Sequence, residues 1–496
     1  MKKVISVIIT VCFCFLLFAK SVKVITYPAP ESEKVLGNNS VFVNGKQIDL
    51  YKALSPTRLG GEYYFCYFDF EGEVEVEVKV SHNHPFWWGT PKPRQAEVFP
   101  PTIKYTRDGE NVKIKADKPF KAIVMQQRYH MPLIIFGNAI EKNKPKPTDK
   151  DVIYFGAGTH FLQEPIVLKD NQTLYVEGGA VVKAPVLAKD AKNIKICGRG
   201  IISFDNRPRM SSECLEFNNC NGISLNDVIV KDATSWTIVF RNSKNIDVDN
   251  LKVCGARMIN DDVFDICNSS DITIKNTFAR AQDDIIALKG WHGSGKELGR
   301  KLTKNLDDRN NNLPVENIYI ENCIFWTDSA NIFRIGYECD APYFKNLVCK
   351  KLYVPFYSQY RKPRKDFNWS HSIIWLQATH SMPILDMHFE DIYIHSNGRD
   401  MVLLTAIPQV VDAPHVKTCG RIENITLKNV VVGGLKSYGG DSFNGEIFIE
   451  GKSSTCDVKN VKVENLTYFG EKKTPENLKI HIGDFTSGID VLGKKK

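Results

Sequence analysis

One short pattern recurs along the chain after residue 200: two apolar residues separated by one position, followed two positions later by Asn or Asp. Its clearest copies are Ile223/Leu225/Asp227, Ile246/Val248/Asn250, Ile272/Ile274/Asn276, Ile318/Ile320/Asn322, Ile425/Leu427/Asn429 and Val461/Val463/Asn465. The first steps between copies are 23, 26 and 46 residues, and we interpret 46 as two steps of 23. Alternation with a period of two is typical of strands, and a repeat of about 23 residues without helical spacing predicts a parallel β-helix.

The Asn and Asp residues of the pattern are predicted to form corners of the coil and not to bind ligands. These residues tolerate the left-handed backbone that a sharp turn needs. A β-propeller is the competing all-β fold, but its blades repeat at about 40 residues or more. The repeat therefore favours the β-helix.

A different pattern precedes the repeat. Residues 73–80 (EVEVEVKV) place every valine on one strand face and every charge on the other, and residues 111–116 (NVKIKA) do the same. This alternation predicts antiparallel strands with one buried face. We expect a β-sandwich domain over 22–140, a charged, proline-bearing linker over 141–150, and a β-helix catalytic domain over 151–496.

The N-terminus has the pattern of a secretory signal peptide. Lys2 and Lys3 precede an apolar run that extends to Ala19, and Ala19 and Ser21 have the spacing of a cleavage site. We expect a signal peptide over 1–21 and a secreted or periplasmic, monomeric protein with no membrane span after cleavage. A retained anchor is the alternative.

Charge and cysteine content exclude several other classes. The net charge of +8 falls to +5 without the three lysines of the signal peptide, and no basic run of the nucleic-acid-binding type is present. Eleven of the 13 cysteines follow residue 21, without C-x-x-C spacing, which argues against a disulfide framework or a zinc site. We interpret most of them as small buried apolar residues, among them Cys254, Cys267, Cys323 and Cys349.

Two acidic segments lie one repeat apart. They are NDDVFDI at 260–266 and QDDIIALKG at 282–290, so Asp262 precedes Asp283 by 21 residues and Asp284 by 22. Residues one coil apart stack about 4.8 Å apart. The spacing therefore predicts that the three carboxylates converge on one wall of the β-helix.

Three interpretations of this convergence are open. Paired carboxyls can hydrolyse a glycosidic bond, one donating a proton to the leaving oxygen and another activating water. A carboxylate cluster can also bind Ca²⁺, as in metal-dependent polysaccharide lyases, with Lys289 as the base. Thirdly, the acids could be solvated corner residues of a non-catalytic glycan-binding protein.

The acidic segments resemble motifs of glycoside hydrolase family 28, the polygalacturonases. NDDVFDI is similar to that family's N-T-D-G-F-D motif, and QDDIIALKG to its Q-D-D-C-(I/V)-A motif. The resemblance implies a right-handed parallel β-helix and an inverting hydrolase without metal or cofactor. It further implies that Asp262, Asp283 and Asp284 are the acid, the base and a supporting carboxylate. We expect Asp283 or Asp284 to be the acid.

The domain layout resembles family 49 of the same clan, the dextranases and isopullulanase, which place a β-sandwich before the β-helix. Residues 131–141, 329–354 and 407–432 are similar to segments of that family. The G-H-G and R-I-K motifs of family 28 have no counterpart here, which argues against polygalacturonate as the substrate. The sequence therefore predicts a dextranase-like or polygalacturonase-like enzyme with a polysaccharide substrate.

Further residues near the acids are predicted to contact the sugar. Aromatic faces stack on sugar rings, and basic or imidazole groups can contact sugar hydroxyls. Each also has a structural interpretation, as a core aromatic, a charge partner or a solvated loop residue. The predicted contacts are Lys289, Trp291, His292, Trp326, Arg334 and Tyr337.

Overall fold

The computed structural model describes residues 22–35, 40–56, 61–79, 96–109, 111–125, 131–211, 214–290, 313–339, 341–357, 371–396, 401–413, 416–434 and 445–496. All secondary-structure elements in these ranges are β-strands, so the predicted all-β fold class is confirmed. No helix in the described ranges is long and apolar enough to cross a membrane. The predicted signal peptide lies outside the described residues.

Eleven strands precede the β-helix and form two sheets. They are β1 (Lys23–Thr26), β2 (Ser40–Val43), β3 (Lys46–Ile48), β4 (Tyr51–Leu54), β5 (Glu62–Glu71), β6 (Val74–Lys79), β7 (Glu97–Phe99), β8 (Tyr105–Asp108), β9 (Asn111–Ala116), β10 (Phe120–Met125) and β11 (Leu133–Ala139). One sheet has the order β1-β5-β11-β10-β7 with β4 beside β5, and the other has the order β3-β2-β6-β9-β8. The valines of β6 and the apolar residues of β5, β10 and β11 share one core, as in a sandwich.

The remaining strands build the β-helix. Its first half contains β12 (Val152–Phe155), β13 (Gly158–Phe161), β14 (Ile166–Leu168), β15 (Thr173–Val176), β16 (Ala180–Lys183), β17 (Val186–Lys189), β18 (Lys192–Cys197), β19 (Ile201–Ser203), β20 (Leu215–Asn218), β21 (Asn221–Asn226), β22 (Ile229–Lys231), β23 (Ile238–Arg241), β24 (Lys244–Asp249), β25 (Lys252–Cys254), β26 (Phe264–Cys267), β27 (Ser270–Lys275), β28 (Phe278–Ala281) and β29 (Ile286–Gly290). Its second half contains β30 (Val315–Thr327), β31 (Phe333–Cys339), β32 (Phe344–Tyr357), β33 (Ser372–Gln377), β34 (Ile384–Ser396), β35 (Met401–Ala406), β36 (Val411–Ala413), β37 (Val416–Thr418), β38 (Ile422–Gly434), β39 (Gly445–Ile449), β40 (Val458–Tyr468), β41 (Glu471–Lys472), β42 (Ile480–Ile482), β43 (Thr486–Ser487), β44 (Asp490–Val491) and β45 (Lys494–Lys495).

Successive coils pair in parallel and stack into two long sheets. One sheet has 11 described strands in the order β14-β17-β20-β23-β26-β29-β31-β33-β35-β39-β42, and we call it the site sheet. The other runs from β12 to β45 and bends around a corner of each coil. One apolar core fills the interior along the whole stack, which explains the period of two in the repeat.

One detail of the predicted repeat is wrong. Ile272 pairs directly with Ile318, so the step of 46 residues is a single coil and not two. The additional residues are inserted between β29 and β30. They do not add a coil to the stack, because β27 pairs directly with β30. The repeat length thus varies while the register of the inward-facing residues is kept.

The repeat asparagines form the corners, as predicted. Asn250, Asn276, Asn322, Asn429 and Asn465 all have positive φ. Their side-chain amides also form ladders between coils: Asn322, for example, donates to the corner residue Asn276 of the preceding coil over 2.7 Å, and Asn276 donates to Asp249, next to the corner, over 2.7 Å. The side-chain amides of these residues are therefore engaged with neighbouring coils, which agrees with a structural role.

Most cysteines are buried and free, as predicted; this holds for Cys254, Cys267, Cys323 and Cys349. One disulfide, Cys419–Cys456, joins two neighbouring coils near the C-terminal end of the stack. The sequence spacing did not reveal it, because the two residues meet only when β38 pairs with β40.

The sandwich covers the outer face of the sheet that bends around the corner. Tyr63 and Phe136 of the sandwich share a core with Phe278 and Trp326 of the β-helix. Trp326 has no exposed surface, and its ring lies 4.1 Å from the guanidinium carbon of Arg280. The predicted sugar contact of Trp326 is therefore wrong, because the residue lies beneath the sandwich and a sugar cannot reach it.

Candidate active site

The register of the site sheet brings the two acidic segments together. Phe264 pairs with Ile286, so Asp262 and Asp284 occupy equivalent positions on successive coils, each just before its strand begins. The main chain is locked in this register because the Val263 N–H donates to the Asp284 carbonyl over 2.9 Å. One carboxylate oxygen from each of Asp262, Asp283 and Asp284 lies within 4.8 Å of the others. The predicted convergence of the three acids is thus present.

Asp283 is the most exposed of the three and has the most strongly perturbed acidity. Its two carboxyl oxygens accept hydrogen bonds from the Asn260 and Asp284 main-chain N–H groups, at 3.0 Å each. These bonds favour the carboxylate, but burial and the nearby charges of Asp262 and Asp284 outweigh them. Together they raise the pKa of Asp283 to about 9. Asp283 is therefore protonated at neutral pH.

Asp284 is held by a residue from the next coil. Both the main-chain N–H and the side-chain amide of Asn331 donate to one Asp284 oxygen, over 2.9 and 2.7 Å. Asn331 is itself fixed because its side-chain oxygen accepts the Ser372 N–H from the following coil. Burial and Asp262 raise the pKa of Asp284 to about 6, while Arg334 and the Asn331 bonds oppose the rise. Asp284 is thus mainly ionised at neutral pH.

Lys289 neutralises the third acid. Its ammonium lies 3.2 Å from an Asp262 oxygen, 2.6 Å from Asp265 and 3.3 Å from Glu338, in a nearly buried position. Although burial opposes the charge, these carboxylates raise the pKa of Lys289 well above its ordinary value. The ammonium is thus permanently charged and fully engaged with carboxylates, so Lys289 is unsuited to act as a base.

A fourth aspartate organises the main chain beneath the trio. Buried Asp261 accepts the N–H groups of Gln282 and Asp283 on one oxygen, over 2.8 and 3.1 Å, and that of Ala256 on the other, over 2.9 Å. Burial raises its pKa to about 7. Asp261 therefore anchors the backbone that carries Asp283 to the coil that carries Asp262.

The other predicted sugar contacts have mixed outcomes. Arg334 is buried beside Asp284, with its guanidinium carbon 4.0 Å from the ring centroid of Trp375, and it also donates to Gln377. Trp291 and His292 lie outside the described residues. Tyr337 belongs to β31, but its side chain is outside the described part of the structure. The sugar contacts of Lys289, Trp291, His292, Arg334 and Tyr337 remain predictions, although the Lys289 ammonium faces acids.

Several site residues were not predicted from the sequence. They are Asn331, which donates to the Asp284 carboxylate, and Asp265 and Glu338, which contact the Lys289 ammonium. Trp236 lies one coil before Asp262. A signal for two of them existed: the one-coil step that relates Asp262 to Asp284 relates Trp236 to Asp262 and Asp284 to Asn331. Asp265 and Glu338 had no such signal, because their role depends on the position of the Lys289 ammonium.

The chemistry of the site favours acid–base work. A protonated carboxyl, Asp283, lies beside two carboxylates that are held by cationic or N–H partners. The three oxygens are also close enough to ligate a cation. However, the ammonium of Lys289 lies 3.2 Å from Asp262 and already balances part of the negative charge that a cation would neutralise.

Comparison with known proteins agrees with this chemistry. Residues 199–299, which contain all three aspartates, match the family model described as "Glycosyl hydrolases family 28". In fold, 91% of the chain superposes on 93% of the structure "Dex49A from Penicillium minioluteum", a family 49 dextranase, with a TM-score of 0.59 and 14% identity. None of the curated protein sequences matches the chain.

Two exopolygalacturonase structures, of which that from Yersinia enterocolitica is described as family 28, have lower similarity. The exopolygalacturonase of Yersinia enterocolitica aligns over 97% of this chain and 98% of its own, with a TM-score of 0.45 and 12% identity. The exopolygalacturonase of Thermotoga maritima aligns over 64% and 85%, with a TM-score of 0.40 and 14% identity.

The family match and the fold together define the class of the protein: it is a glycoside hydrolase with a right-handed parallel β-helix. More particularly, the predicted resemblance to families 28 and 49 is confirmed, with the family 28 match confined to the coils that carry the acids.

Proposed function

We propose that the protein is a secreted enzyme that hydrolyses glycosidic bonds of a polysaccharide by acid–base catalysis with inversion, using Asp262, Asp283 and Asp284. The observation that carries the proposal is the convergence of the three carboxyls within 4.8 Å, with Asp283 protonated and Asp284 mainly ionised at neutral pH. Pairs of acids whose environments separate their pKa values are typical of acid–base catalysis.

The environments of the acids support distinct roles. Asp283 is the general acid, because it keeps a proton at neutral pH and is the most exposed of the three. Asp262 and Asp284 activate the water, because Lys289 and Asn331 stabilise their ionised forms. This assignment selects Asp283 from the two acids that the sequence left open.

The proposal of inversion rests on the resemblance to family 28. Acid and base are about 6.5–9.5 Å apart in most inverting glycosidases and about 5–5.5 Å apart in retaining ones. One carboxylate oxygen of each acid in this trio lies within 4.8 Å of the others, which is shorter than the acid–base separation typical of inverting enzymes. The anomeric configuration of the first product is thus an independent test of the mechanism.

The decisive experiment is to assay the purified, exported protein on dextran, pullulan and polygalacturonate. We expect new reducing ends from at least one polymer, in the presence of EDTA, and ¹H NMR of the earliest product should show the inverted anomer. A Ca²⁺-dependent lyase would lose activity in EDTA and form an unsaturated product that absorbs in the ultraviolet. If the first product retains the anomeric configuration, the proposal of inversion is wrong, and the mechanism passes through a covalent glycosyl–aspartyl intermediate.

The pH profile gives a second test. We expect kcat/KM to rise with pH near 6, where Asp284 ionises, and to fall above about pH 9, where Asp283 loses its proton. The two apparent pKa values of this profile belong to the coupled trio and not to single residues. The measurement is kcat/KM from pH 4 to pH 10, with circular dichroism at each pH as the control for unfolding. Undiminished kcat/KM at pH 10 would contradict an acid role for Asp283.

We also propose that the protein is exported and monomeric. Its proposed domain boundaries are 22–140 for the β-sandwich, 141–150 for the linker and 151–496 for the β-helix. The signal-peptide pattern of residues 1–21 supports export. A polymer substrate supports it too, since it is too large to enter a cell unaided. Mass analysis of the mature N-terminus tests the cleavage after Ser21.

A further inference from the structure

Tyr63, on strand β5 of the sandwich, contacts two successive coils of the β-helix at the segments that lead to the acids of the site. Its hydroxyl donates to the Gly255 carbonyl over 2.9 Å, and its ring centroid lies 4.3 Å from the guanidinium carbon of Arg280. Gly255 comes seven residues before Asp262, and Arg280 comes three residues before Asp283. One buried side chain of the sandwich therefore reaches both segments.

The peptide unit between Gly255 and Ala256 links Tyr63 to the site. A trans peptide unit is rigid and planar, and its C=O and N–H groups point in opposite directions. Tyr63 donates to the carbonyl of this unit, while the N–H of the unit, which belongs to Ala256, donates to an Asp261 oxygen over 2.9 Å. The sandwich thus holds one side of the unit, and Asp261 holds the other.

The backbone at this unit is strained. Ala256 has a φ of 84°, in the left-handed region that alanine normally avoids. Strained residues of this kind persist only where the surrounding contacts hold them in place. Besides the two bonds to the peptide unit, the Gln282 side-chain amide donates to the Ala256 carbonyl over 3.3 Å. Loss of the Tyr63 hydroxyl would remove one of these few contacts and allow the unit to rotate.

Rotation of the unit would be transmitted to Asp283. The second oxygen of Asp261 accepts the main-chain N–H groups of Gln282 and Asp283, so Asp261 joins the 255–256 unit to the backbone of the next coil. The Asp283 carboxyl in turn accepts the Asn260 N–H over 3.0 Å. A shift of Asp261 would consequently displace the carboxyl that the proposed mechanism uses as the acid.

We propose that Tyr63 is a positioning residue for the hydrolysis, and that the sandwich uses it to brace the segments that carry the acids. Tyr63 is buried, so it acts through the 255–256 unit and Asp261 and not on the substrate. The sandwich would thereby contribute to catalysis as well as cover the apolar outer face of the β-helix. The inference rests on the proposed function and deepens it, because it assigns a residue outside the β-helix to the same reaction.

Steady-state kinetics of Tyr63→Phe test the inference. Phenylalanine keeps a ring against Arg280 and removes only the hydroxyl that holds Gly255. We expect kcat to fall about 5- to 10-fold and KM to stay within about 2-fold, because misplaced acids slow the chemical step while the substrate contacts are kept. The substrate is whichever of dextran, pullulan and polygalacturonate the wild type hydrolyses.

Tyr67→Phe is the matched control. Tyr67 is also a buried tyrosine of the sandwich whose hydroxyl contacts the β-helix main chain, where it accepts the Gly179 N–H over 3.0 Å. Gly179 immediately precedes β16, which lies three coils before β25 and the 255–256 unit. Tyr67→Phe should lower Tm as Tyr63→Phe does, but leave kcat unchanged. Equal kcat values for the two variants would overturn the inference.

Amide hydrogen exchange followed by mass spectrometry gives a readout that does not depend on activity. In Tyr63→Phe, peptides that cover 255–262 and 280–286 should exchange about 10-fold faster or more, because the N–H groups of Ala256 and Asp283 lose their fixed acceptor. In Tyr67→Phe, faster exchange should be confined to peptides around Gly179. Unchanged exchange at 255–262 in Tyr63→Phe would show that the hydroxyl does not hold the unit, which would also overturn the inference.

The outcomes distinguish this inference from the proposed function. If the wild type hydrolyses no polysaccharide while Tyr63→Phe exchanges faster at 255–262, the proposed hydrolase activity is refuted and the brace of the acidic segments remains. If the wild type hydrolyses a polysaccharide and Tyr63→Phe keeps the wild-type kcat, only the positioning role of Tyr63 is refuted.

Discussion

Replacing Asp283 with asparagine is expected to lower kcat/KM by about 10³-fold or more, because the variant has no proton to give to the leaving oxygen. Asparagine has nearly the same shape, so its side-chain oxygen can still accept the Asp284 or Asn260 N–H. The loss should therefore appear in kcat with little change in affinity. The measurement is steady-state hydrolysis of the polymer that the wild type cleaves.

The same variant should be more stable than the wild type above neutral pH. The folded-state pKa of Asp283 is raised to about 9, so the folded protein binds more protons than the unfolded chain between about pH 4 and 9. Stability is accordingly lost as pH rises through this window. Asparagine removes that cost, and we expect the free energy of unfolding to rise by about 1–3 kcal/mol at pH 8 and to change little at pH 4.

Asp271→Asn is the matched control for this prediction. Asp271 is an exposed corner residue with positive φ, where asparagine fits as well, and it accepts bonds from the Asn317 amide and the Ser270 hydroxyl, over 2.9 and 3.0 Å. This change should alter neither activity nor the pH dependence of stability. If Asp283→Asn keeps more than about a tenth of wild-type kcat/KM, Asp283 is not the general acid.

Replacing Lys289 with methionine should have a large effect on both stability and activity. Methionine keeps much of the length but leaves Asp262, Asp265 and Glu338 without the ammonium that holds them together. Removing one partner from buried charges of this kind typically costs about 3–5 kcal/mol. We expect a drop in Tm at pH 7 and at least about a 10²-fold loss of kcat, because Asp262 loses its orientation.

The pH dependence of this variant identifies the cause. The destabilisation should shrink as the pH falls, because a proton can replace the missing ammonium on Asp265, whose pKa burial raises well above its ordinary value. Lys252→Met is the matched control, because burial and neighbouring Lys121 hold the pKa of Lys252 well below its ordinary value. Lys252 is as buried as Lys289 but donates to the Asp227 carbonyl, over 3.0 Å, and to no acid of the trio, so this variant should lose about 1–3 kcal/mol of stability and retain its activity. A Lys289→Met protein as active as Lys252→Met would show that Lys289 does not position Asp262.

The convergence of Asp262, Asp283 and Asp284 was predictable because it follows from spacing alone. Once the repeat defines one coil, Asp262 and Asp284 must stack, and the adjacent Asp283 follows. The corner asparagines were predictable for the same reason. By contrast, Trp326 looked like a sugar contact from its place in the chain, but the outward face of its strand is covered by the sandwich. No pattern within the β-helix sequence contains that contact.

Protonation and partner choice were decided by the tertiary structure. The sequence could propose that repulsion keeps one carboxyl protonated, but it could not separate Asp283 from Asp284. Burial and the charge of Asp262 raise the pKa of both acids, whereas Arg334 and the two Asn331 donors from the next coil lower that of Asp284. In the same way Lys289 is a counter-charge and not a base, because three carboxylates from two coils surround its ammonium.

By itself, then, the sequence determined the all-β fold, the coil and the line of acids along it, because a periodic backbone converts residue spacing directly into position. Only the tertiary structure decided which acid keeps its proton, which aromatic residue lies beside the acids and which is buried. Those properties depend on desolvation and on contacts between residues distant in the chain, and neither is periodic.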